Sequence, residues 1–247
     1  MVIQDNQDLY GIMAIGKIVG ETIQHMKNHL EPGMRTADLD EIGAAYLKKQ
    51  GARSAPILAY KFPATTCISI NDEAAHGIPG DYVIQPGDFV NIDVSAEKDG
   101  YWADSGFTVA MDPVTPEARK HITATQEALD LAINMVKHGV ACNQIGRAVE
   151  RFAHAQGFEV IEELGGHGLG RHIHEKPSIP NHYHRRNREK LSEGMVITIE
   201  PFLTTGARHI YTEDDGWTLK TTDGSRSVQF EHTLVVTQNQ PIIVTQV

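Results

Sequence analysis

Two aspartates, Asp93 and Asp104, fall within a segment, Phe89 to Thr108, that the sequence predicts to be a β-hairpin. Strand-forming and polar residues alternate before Asp99-Gly100, which is a strong turn signal. If the connection is the four-residue loop Glu97 to Gly100, Asp93 pairs directly with Asp104. Their charges would then repel by about 4 kcal/mol at ~4 Å and an effective dielectric near ~20. A compensating charge is therefore expected.

A two-residue loop at Asp99-Gly100 is the alternative connection. It shifts the pairing register and leaves Asp93 and Asp104 as ordinary solvated aspartates. The hairpin alone does not distinguish these two registers, so the remaining chain has to.

Two further carboxylates and a histidine complete a candidate metal site. Glu200 and Glu231 fall on predicted strands, 195–200 and 228–236, and His167 lies in the glycine-rich segment 165–170. Two divalent cations would balance four carboxylates, and oxygen-rich ligand sets suit the harder first-row metals. Taken alone, His167 could equally be an ordinary hydrogen-bonded or solvated side chain. The predicted ligands are Asp93, Asp104, His167, Glu200 and Glu231.

Two familiar motifs do not fit the sequence. His174-Glu175 does not begin a zinc-protease HExxH helix, because Ser178 stands where the second histidine must be. The glycines of segment 165–170 do not form GxGxxG, because Arg171 occupies the last position. No nucleotide-binding loop is predicted.

The elements that would position these residues follow from apolar spacing and turn residues. A helix is predicted over Leu9–Leu30, and a second begins at Thr36 or Asp38 and stops at Gly51. A strand is predicted around Thr66–Ile70, and the second half of the chain starts with a helix near Thr115-Pro116.

The two halves of the chain repeat each other. When the second half of the sequence is aligned with the first, Gly139 and Gly157 match Gly33 and Gly51 at an offset of 106 residues. Glu200 matches Asp93 at an offset of 107. A carboxylate at the same step of two strands predicts a single α/β domain, 1–247, with pseudo-two-fold symmetric halves of about 1–114 and 115–247. Acidic side chains would point at the axis between them.

Composition sets the broad class. The 247 residues are 40% hydrophobic and 22% charged, which is ordinary for a globular protein, and no apolar run is long enough to span a membrane. A cytoplasmic protein is expected. The net charge of −10 disfavours nucleic acid as the main partner. Cys67 and Cys142 are predicted to be buried, reduced thiols.

A basic segment, 182–190, stands out against the acidic background. Its simplest interpretation is an exposed, solvated connection. The alternative is a local contact with an anionic partner such as ribosomal RNA, which would make the ribosome a partner. The cationic and titratable residues are His182, His184, Arg185, Arg186, Arg188 and Lys190.

Six further motifs are spread over nearly the whole chain. They are HGIP at 76–79, NIDVS at 91–95, GHGLGRHIHEKP at 166–177, TIEP at 198–201, DGWTLKT at 215–221 and QFEHT at 229–233. Together they resemble type I methionine aminopeptidases. The resemblance implies a pita-bread fold, which is an α+β fold with a central antiparallel sheet, and removal of the initiator methionine from nascent polypeptides by a monomeric enzyme. It implies a dinuclear site for Co, Mn, Fe(II), Zn or Ni.

The resemblance also implies roles for individual residues. His76 would contact the scissile amide nitrogen and His174 the carbonyl oxygen. Glu200 would be both a metal ligand and the base that moves a proton from the attacking water to the leaving nitrogen. These three residues are the predicted catalytic groups.

The predicted methionine pocket departs from the family pattern. Its walls would be Phe62, Cys67, His76, Ile173 and Trp217, with His174 at the reacting bond. An apolar set suits an unbranched thioether. The family usually has Phe at the position of Ile173, and the cysteine and two tyrosines that often line the pocket match Pro56, Ala59 and Phe62. A looser pocket is expected.

Two alternatives remain. An aminopeptidase of the same fold with broader or X-Pro specificity usually carries an additional N-terminal domain, for which 247 residues leave no room. A metal-free binding protein on the same scaffold would be expected to have lost ligands, whereas all five are present.

Overall fold

The computed structural model describes residues 1–247, which form five helices and fifteen short strands. Two long helices precede the first strands of the central region, and two more open the second half. The helices are α1 (Asn6–His29), α2 (Thr36–Lys49), α3 (Ala55–Tyr60), α4 (Pro116–Met135) and α5 (Cys142–Gln156).

Local sequence signals set the helix ends. Helix α1 begins three residues before the predicted Leu9 because the Asp5 side chain accepts a hydrogen bond from the Asp8 N–H, at 3.0 Å. Helix α4 begins as predicted, with Thr115 as its cap and Pro116 in the first position. Helix α5 ends at Gly157, whose φ of 84° is accessible mainly to glycine.

The strands pair only with antiparallel neighbours. They are β1 (Arg53–Ser54), β2 (Cys67–Ile70), β3 (Glu73–Ala75), β4 (Phe89–Lys98), β5 (Tyr101–Ala110), β6 (Glu159–Val160), β7 (Gly165–Gly168), β8 (Glu175–Pro180), β9 (Val196–Ile199), β10 (Phe202–Thr204), β11 (Ile210–Thr212), β12 (Leu219–Thr221), β13 (Ser227–Gln229), β14 (His232–Val235) and β15 (Ile242–Ile243).

The hairpin β4–β5 has the two-residue turn at Asp99-Gly100, which was one of the two connections left open by the sequence, and the four-residue loop does not form. Asp104 is nevertheless buried, so the solvated aspartate expected with this turn was wrong. Lys98 pairs with Tyr101, and Asp99 and Gly100 both have positive φ, as a tight hairpin turn requires. Ser95 rather than Asp93 therefore lies opposite Asp104. The shift is two residues, which keeps both aspartates on one face of the sheet because side chains alternate with a period of two.

Two larger sheets meet along β5. One contains β1, β2, β4 and β5, and the other has the order β15-β14-β9-β7-β8. Phe107 of β5 forms an isolated bridge with Phe230, and the Glu231 N–H donates to the Gly106 carbonyl at 2.9 Å. The Thr233 hydroxyl accepts from the Asp104 N–H at 3.0 Å. These contacts bring the strand that carries Asp104 beside Glu231.

Each helix pair covers its own apolar core. One core of 23 buried residues lies between α1, α2 and the β4–β5 hairpin, and a second of 22 lies beneath α4 and α5. The cores are of nearly equal size, so neither helix pair dominates the packing. Both cysteines are buried and unpaired. None of the helices has the length and apolar character needed to cross a membrane.

Candidate metal centre

Five predicted ligands come from five different segments of the two joined sheets. Asp93 and Asp104 lie within β4 and β5, and His167 lies within β7. Glu200 directly follows β9, and Glu231 lies in the short break between β13 and β14. The long predicted strand 228–236 is thus interrupted at the residue that turns its carboxylate inward.

The closest group within this set is Asp104, His167 and Glu231, whose potential ligand atoms all lie within 4.8 Å of one another. Glu200 joins it, because its Oε1 is 3.5 Å from His167 Nε2. Asp93 lines the same cleft as Asp104, His167 and Glu200. The structure therefore brings all five predicted ligands together.

His167 presents an unprotonated ring nitrogen to the carboxylates. Its Nδ1 lies 3.0 Å from the Gly168 carbonyl oxygen, which can only accept a hydrogen bond, so Nδ1 carries the ring proton. Nε2, which lies 3.9 Å from the nearer Asp104 oxygen, then has a free lone pair. Burial lowers the pKa of His167 to about 3, which keeps this ring neutral.

Burial and mutual repulsion disfavour ionised carboxyl groups in this cluster. Burial and the neighbouring carboxylates raise the pKa of Asp104, Glu200 and Glu231 well above their usual range. Burial raises the pKa of Asp93 to about 6. One oxygen of Asp104 and one of Glu231 are buried with no hydrogen-bond partner. Four carboxyl groups, two of which have an oxygen without a hydrogen-bond partner, and a neutral imidazole form a donor set that fits divalent metal.

Two buried polar side chains orient the glutamates. The Thr198 hydroxyl donates to Glu200 Oε1 at 3.1 Å and accepts from the His167 N–H at 3.0 Å. The Gln229 side-chain amide donates to Glu231 Oε2 at 3.0 Å. Thr198 and Gln229 are not among the residues predicted from the sequence, although both stand two residues before a predicted ligand and so share its side of a strand.

His76 and His174 lie at the mouth of the cleft and are exposed to solvent. His76 has a φ of 56° and is followed by Gly77, where an added Cβ would lie 2.3 Å from the Ile68 carbonyl oxygen. This close approach fixes the His76 loop against β2. The His174 ring lies 4.3 Å from the His167 ring, measured between centroids.

A single carboxylate holds the turn that precedes His174. Oε1 of Glu175 accepts from the backbone N–H groups of Arg171 and His172, at 2.7 and 2.8 Å. The turn is therefore closed by a charge-assisted hydrogen-bond pair, which restricts where His174 can stand relative to the carboxylates.

A small apolar cavity of about 80 Å³ opens beside the metal-ligand cluster. Phe62 and Trp217 meet edge to face within it, with ring centroids 5.2 Å apart. All the residues predicted to bind substrate line this cavity: His76, His174, Phe62, Cys67, Ile173 and Trp217.

Residues of α3 complete the cavity wall. Pro56 and Tyr60 line it, whereas Ala59 does not. Proline and tyrosine lie four residues apart, so they share one face of the helix. That spacing relates Tyr60 to Pro56, but on a helix of six residues it does not show which face meets the cavity.

Comparisons with known proteins identify the family of the chain. The chain matches the family model "Metallopeptidase family M24" over residues 11–238. It is 44% identical to "Methionine aminopeptidase 2" of Bacillus subtilis (strain 168), over all of both chains. It is 39% identical to "Methionine aminopeptidase" of Escherichia coli (strain K12), over 98% of this chain and 93% of the relative.

The fold also matches that of a solved structure. A methionine aminopeptidase from Rickettsia prowazekii superposes with a TM-score of 0.94 at 35% identity, over all of both chains. The pita-bread fold implied by the sequence motifs is thus confirmed. The chain belongs to metallopeptidase family M24 and, within it, to the methionine aminopeptidases.

Proposed function

We propose that this protein is a metal-dependent aminopeptidase that removes the initiator methionine from nascent proteins and peptides. The observation that carries the proposal is the position of the apolar cavity, which shares Asp93, Asp104, His76 and His174 with the carboxylate-lined cleft. A methionine side chain in the cavity would place the following peptide bond next to the ligand cluster. The acidic end of the cleft suits a free α-ammonium group better than a continuing chain.

Two divalent ions are the proposed cofactors, drawn from Co, Mn, Fe(II), Zn and Ni. They would be held by Asp93, Asp104, His167, Glu200 and Glu231. The chemistry supplied by such a metal pair is Lewis-acid polarisation of the scissile carbonyl and activation of water. The orphaned oxygens of Asp104 and Glu231 support this donor set.

Three side chains would perform the remaining steps. Glu200 would take a proton from the attacking water and deliver it to the leaving nitrogen. His76 would bind the scissile amide nitrogen. His174 would donate a hydrogen bond to the carbonyl oxygen as negative charge develops there.

The entire chain, 1–247, is proposed to act as one catalytic domain with pseudo-repeats of about 1–114 and 115–247, working as a monomer in the cytoplasm. A contact with the ribosome would fit the basic segment 182–190. Arg185, Arg186, Arg188 and Lys190 are exposed there, and none forms an ion pair within the chain.

A peptide panel tests the proposed activity. Metal-free protein is reconstituted separately with Mn, Fe(II), Co, Zn and Ni and assayed on Met-X, Leu-X and X-Pro peptides. We expect release of methionine from Met-Ala and Met-Gly peptides only after metal is restored. Glu200→Gln, purified identically, controls for contaminating peptidases. Preferred cleavage before proline would favour the broader specificity of the same fold, and inactivity with every metal would favour a binding protein.

A further inference from the structure

Tyr60 makes a direct contact with His174 that the assigned roles do not use. Its hydroxyl oxygen lies 2.5 Å from His174 Nδ1, and the two rings are 5.6 Å apart between centroids. Neither nitrogen of His174 has another hydrogen-bond partner within the protein. Tyr60 is therefore the group that decides how this ring is held.

The end of helix α3 makes Tyr60 a rigid support. Lys61, directly after it, adopts a left-handed conformation with φ 60°, and its N–H bonds back to the Ile57 carbonyl at 3.1 Å. Phe62 is then buried against Trp217. Tyr60 is thus fixed between a hydrogen-bonded helix end and a buried aromatic anchor, although its own ring is 46% exposed.

The role of His174 requires a particular ring nitrogen to carry hydrogen. A neutral imidazole has one donor and one acceptor nitrogen, and the developing oxyanion needs the donor. If the Tyr60 hydroxyl donates to Nδ1, the ring hydrogen resides on Nε2, which is then the donor available to substrate. Without this contact, the alternative tautomer and the flipped ring both compete with the productive arrangement.

We propose that Tyr60 is a positioning residue for hydrolysis, whose hydroxyl fixes the ring orientation and tautomer of His174 so that Nε2–H faces the substrate carbonyl. The inference rests on the proposed function for its effect on rate, but not for its effect on the ring. Tyr60 could instead contribute only its apolar ring to the lip of the cavity. Tyr60→Phe separates these two roles because it keeps the ring and removes the hydroxyl.

The rate test is a double-mutant cycle on a Met-Ala peptide. Loss of one net hydrogen bond predicts that Tyr60→Phe lowers kcat about 2- to 10-fold, with KM within about twofold. In the His174→Ala background the same substitution should have no further effect, because the residue it positions is gone. Tyr10→Phe, which changes a tyrosine that is 71% exposed on α1, is the matched control and should retain wild-type kcat.

The structural test needs no activity. In metal-free protein at pH 8, the ¹⁵N resonance of His174 Nδ1, assigned from the signal lost in His174→Gln, should move in Tyr60→Phe toward the value of an unbonded imidazole nitrogen. Tyr10→Phe should leave it in place. An unmoved resonance would overturn the proposed hydrogen bond. Wild-type kcat in Tyr60→Phe would show that Tyr60 contributes only its ring to the cavity wall. An equal loss of kcat in the wild-type and His174→Ala backgrounds would show that the hydroxyl does not act through His174. Either result would overturn the positioning role. If neither wild type nor any variant cleaves methionyl peptides, the proposed function is wrong. The ¹⁵N resonance of His174 Nδ1 would still show whether Tyr60 forms the hydrogen bond.

Discussion

Asp104 and Glu231 lie close enough for their carboxylates to contact one ion, and each has a buried oxygen without a hydrogen-bond partner. Burial and the Glu231 charge raise the pKa of Asp104, so ionising it at neutral pH costs folding free energy. Asp104→Asn should therefore stabilise the metal-free protein, by on the order of 1 kcal/mol. With metal present it should destabilise the protein, because a ligand at ~100 times its Kd stabilises the native state by about 2.7 kcal/mol.

The change in the free energy of unfolding caused by Asp104→Asn should therefore have opposite signs without and with metal. Thermal and denaturant melts with and without chelator measure it. Asp88→Asn is the matched control, since Asp88 is a buried carboxylate that already accepts hydrogen bonds from Asn71, Tyr82 and the Gln85 N–H. It should destabilise the protein in both conditions. A metal-free Asp104→Asn variant less stable than metal-free wild type would contradict the repulsion argument.

His76→Ala and His174→Ala should reduce kcat without releasing metal. Both histidines stand outside the group of closest ligand atoms, at the mouth of the cleft. For His174, loss of a hydrogen-bond donor to the developing oxyanion should cost ~10² to 10³ in rate. For His76, loss of the contact with the scissile amide nitrogen should also lower kcat. Elemental analysis of each purified variant, set beside its kcat on a methionyl peptide, measures the two effects separately. A variant that loses its metals would have to be reassigned as a ligand.

Gly106→Ala should weaken metal binding through a residue that touches no metal. An added Cβ would lie 2.0 Å from Gln229 Oε1, and Gln229 donates to Glu231. Displacing the amide frees Glu231 from its orientation, and loss of such a supporting contact typically lowers metal affinity ~10- to 100-fold. Competition with a metal-binding dye measures the affinity.

Gly80→Ala is the control for this substitution. Its added Cβ would meet only the Ile78 carbonyl oxygen, at 3.8 Å, and should leave metal affinity unchanged. Equal affinities for Gly106→Ala and wild type would mean that Gln229 does not support Glu231.

The ligand residues could be predicted because residue type and the alternation of side chains along a strand do not depend on which of the two hairpin registers forms. Asp93 and Asp104 share a face whether Asp104 pairs with Asp93 or with Ser95, as a two-residue shift preserves side-chain direction. Whether they are solvated could not be predicted, since burial depends on the second sheet, which joins β5 through contacts such as Phe107 to Phe230.

Tyr60 could not be ranked from the sequence because its role depends on a partner 114 positions away. Of the three positions matched to the family's pocket residues, Pro56 and Phe62 line the cavity and Ala59 does not, and the helical turn places Tyr60 there beside Pro56. Short helices such as α3 leave little periodic signal, so residues on their inner face emerge only when the helix is docked.

His121 should make the protein less stable as pH falls. It is 2% exposed, its Nε2–H donates to the Leu203 carbonyl at 2.9 Å, and it stacks on Phe158. Burial lowers its pKa from 6.5 to about 4, so between these values the unfolded chain binds a proton that the native state does not. Stability should fall by about 1.4 kcal/mol per pH unit across that window. His121→Phe, measured in metal-free protein, should remove this slope relative to wild type. Parallel pH profiles for the two proteins would show that His121 does not contribute.

Ile173→Phe should narrow the range of first residues that are cleaved. Ile173 is buried in the wall of the apolar cavity, and a phenyl ring there would add the volume that the family pattern usually supplies. One methylene of apolar fit is worth only ~1 to 3 kcal/mol of discrimination. Wild type should therefore accept leucine or norleucine in place of methionine with a modest penalty, and Ile173→Phe should raise the Met-to-Leu ratio of kcat/KM.

Ile57→Phe is the control for the pocket substitution, because Ile57 lies on α3 but is 45% exposed and does not line the cavity. Its Met-to-Leu ratio should equal that of wild type. An unchanged ratio in Ile173→Phe as well would show that Ile173 does not contact the substrate side chain. Discrimination between methionine and leucine would then have to come from Phe62 and Trp217, whose edge-to-face contact forms the opposite part of the cavity wall.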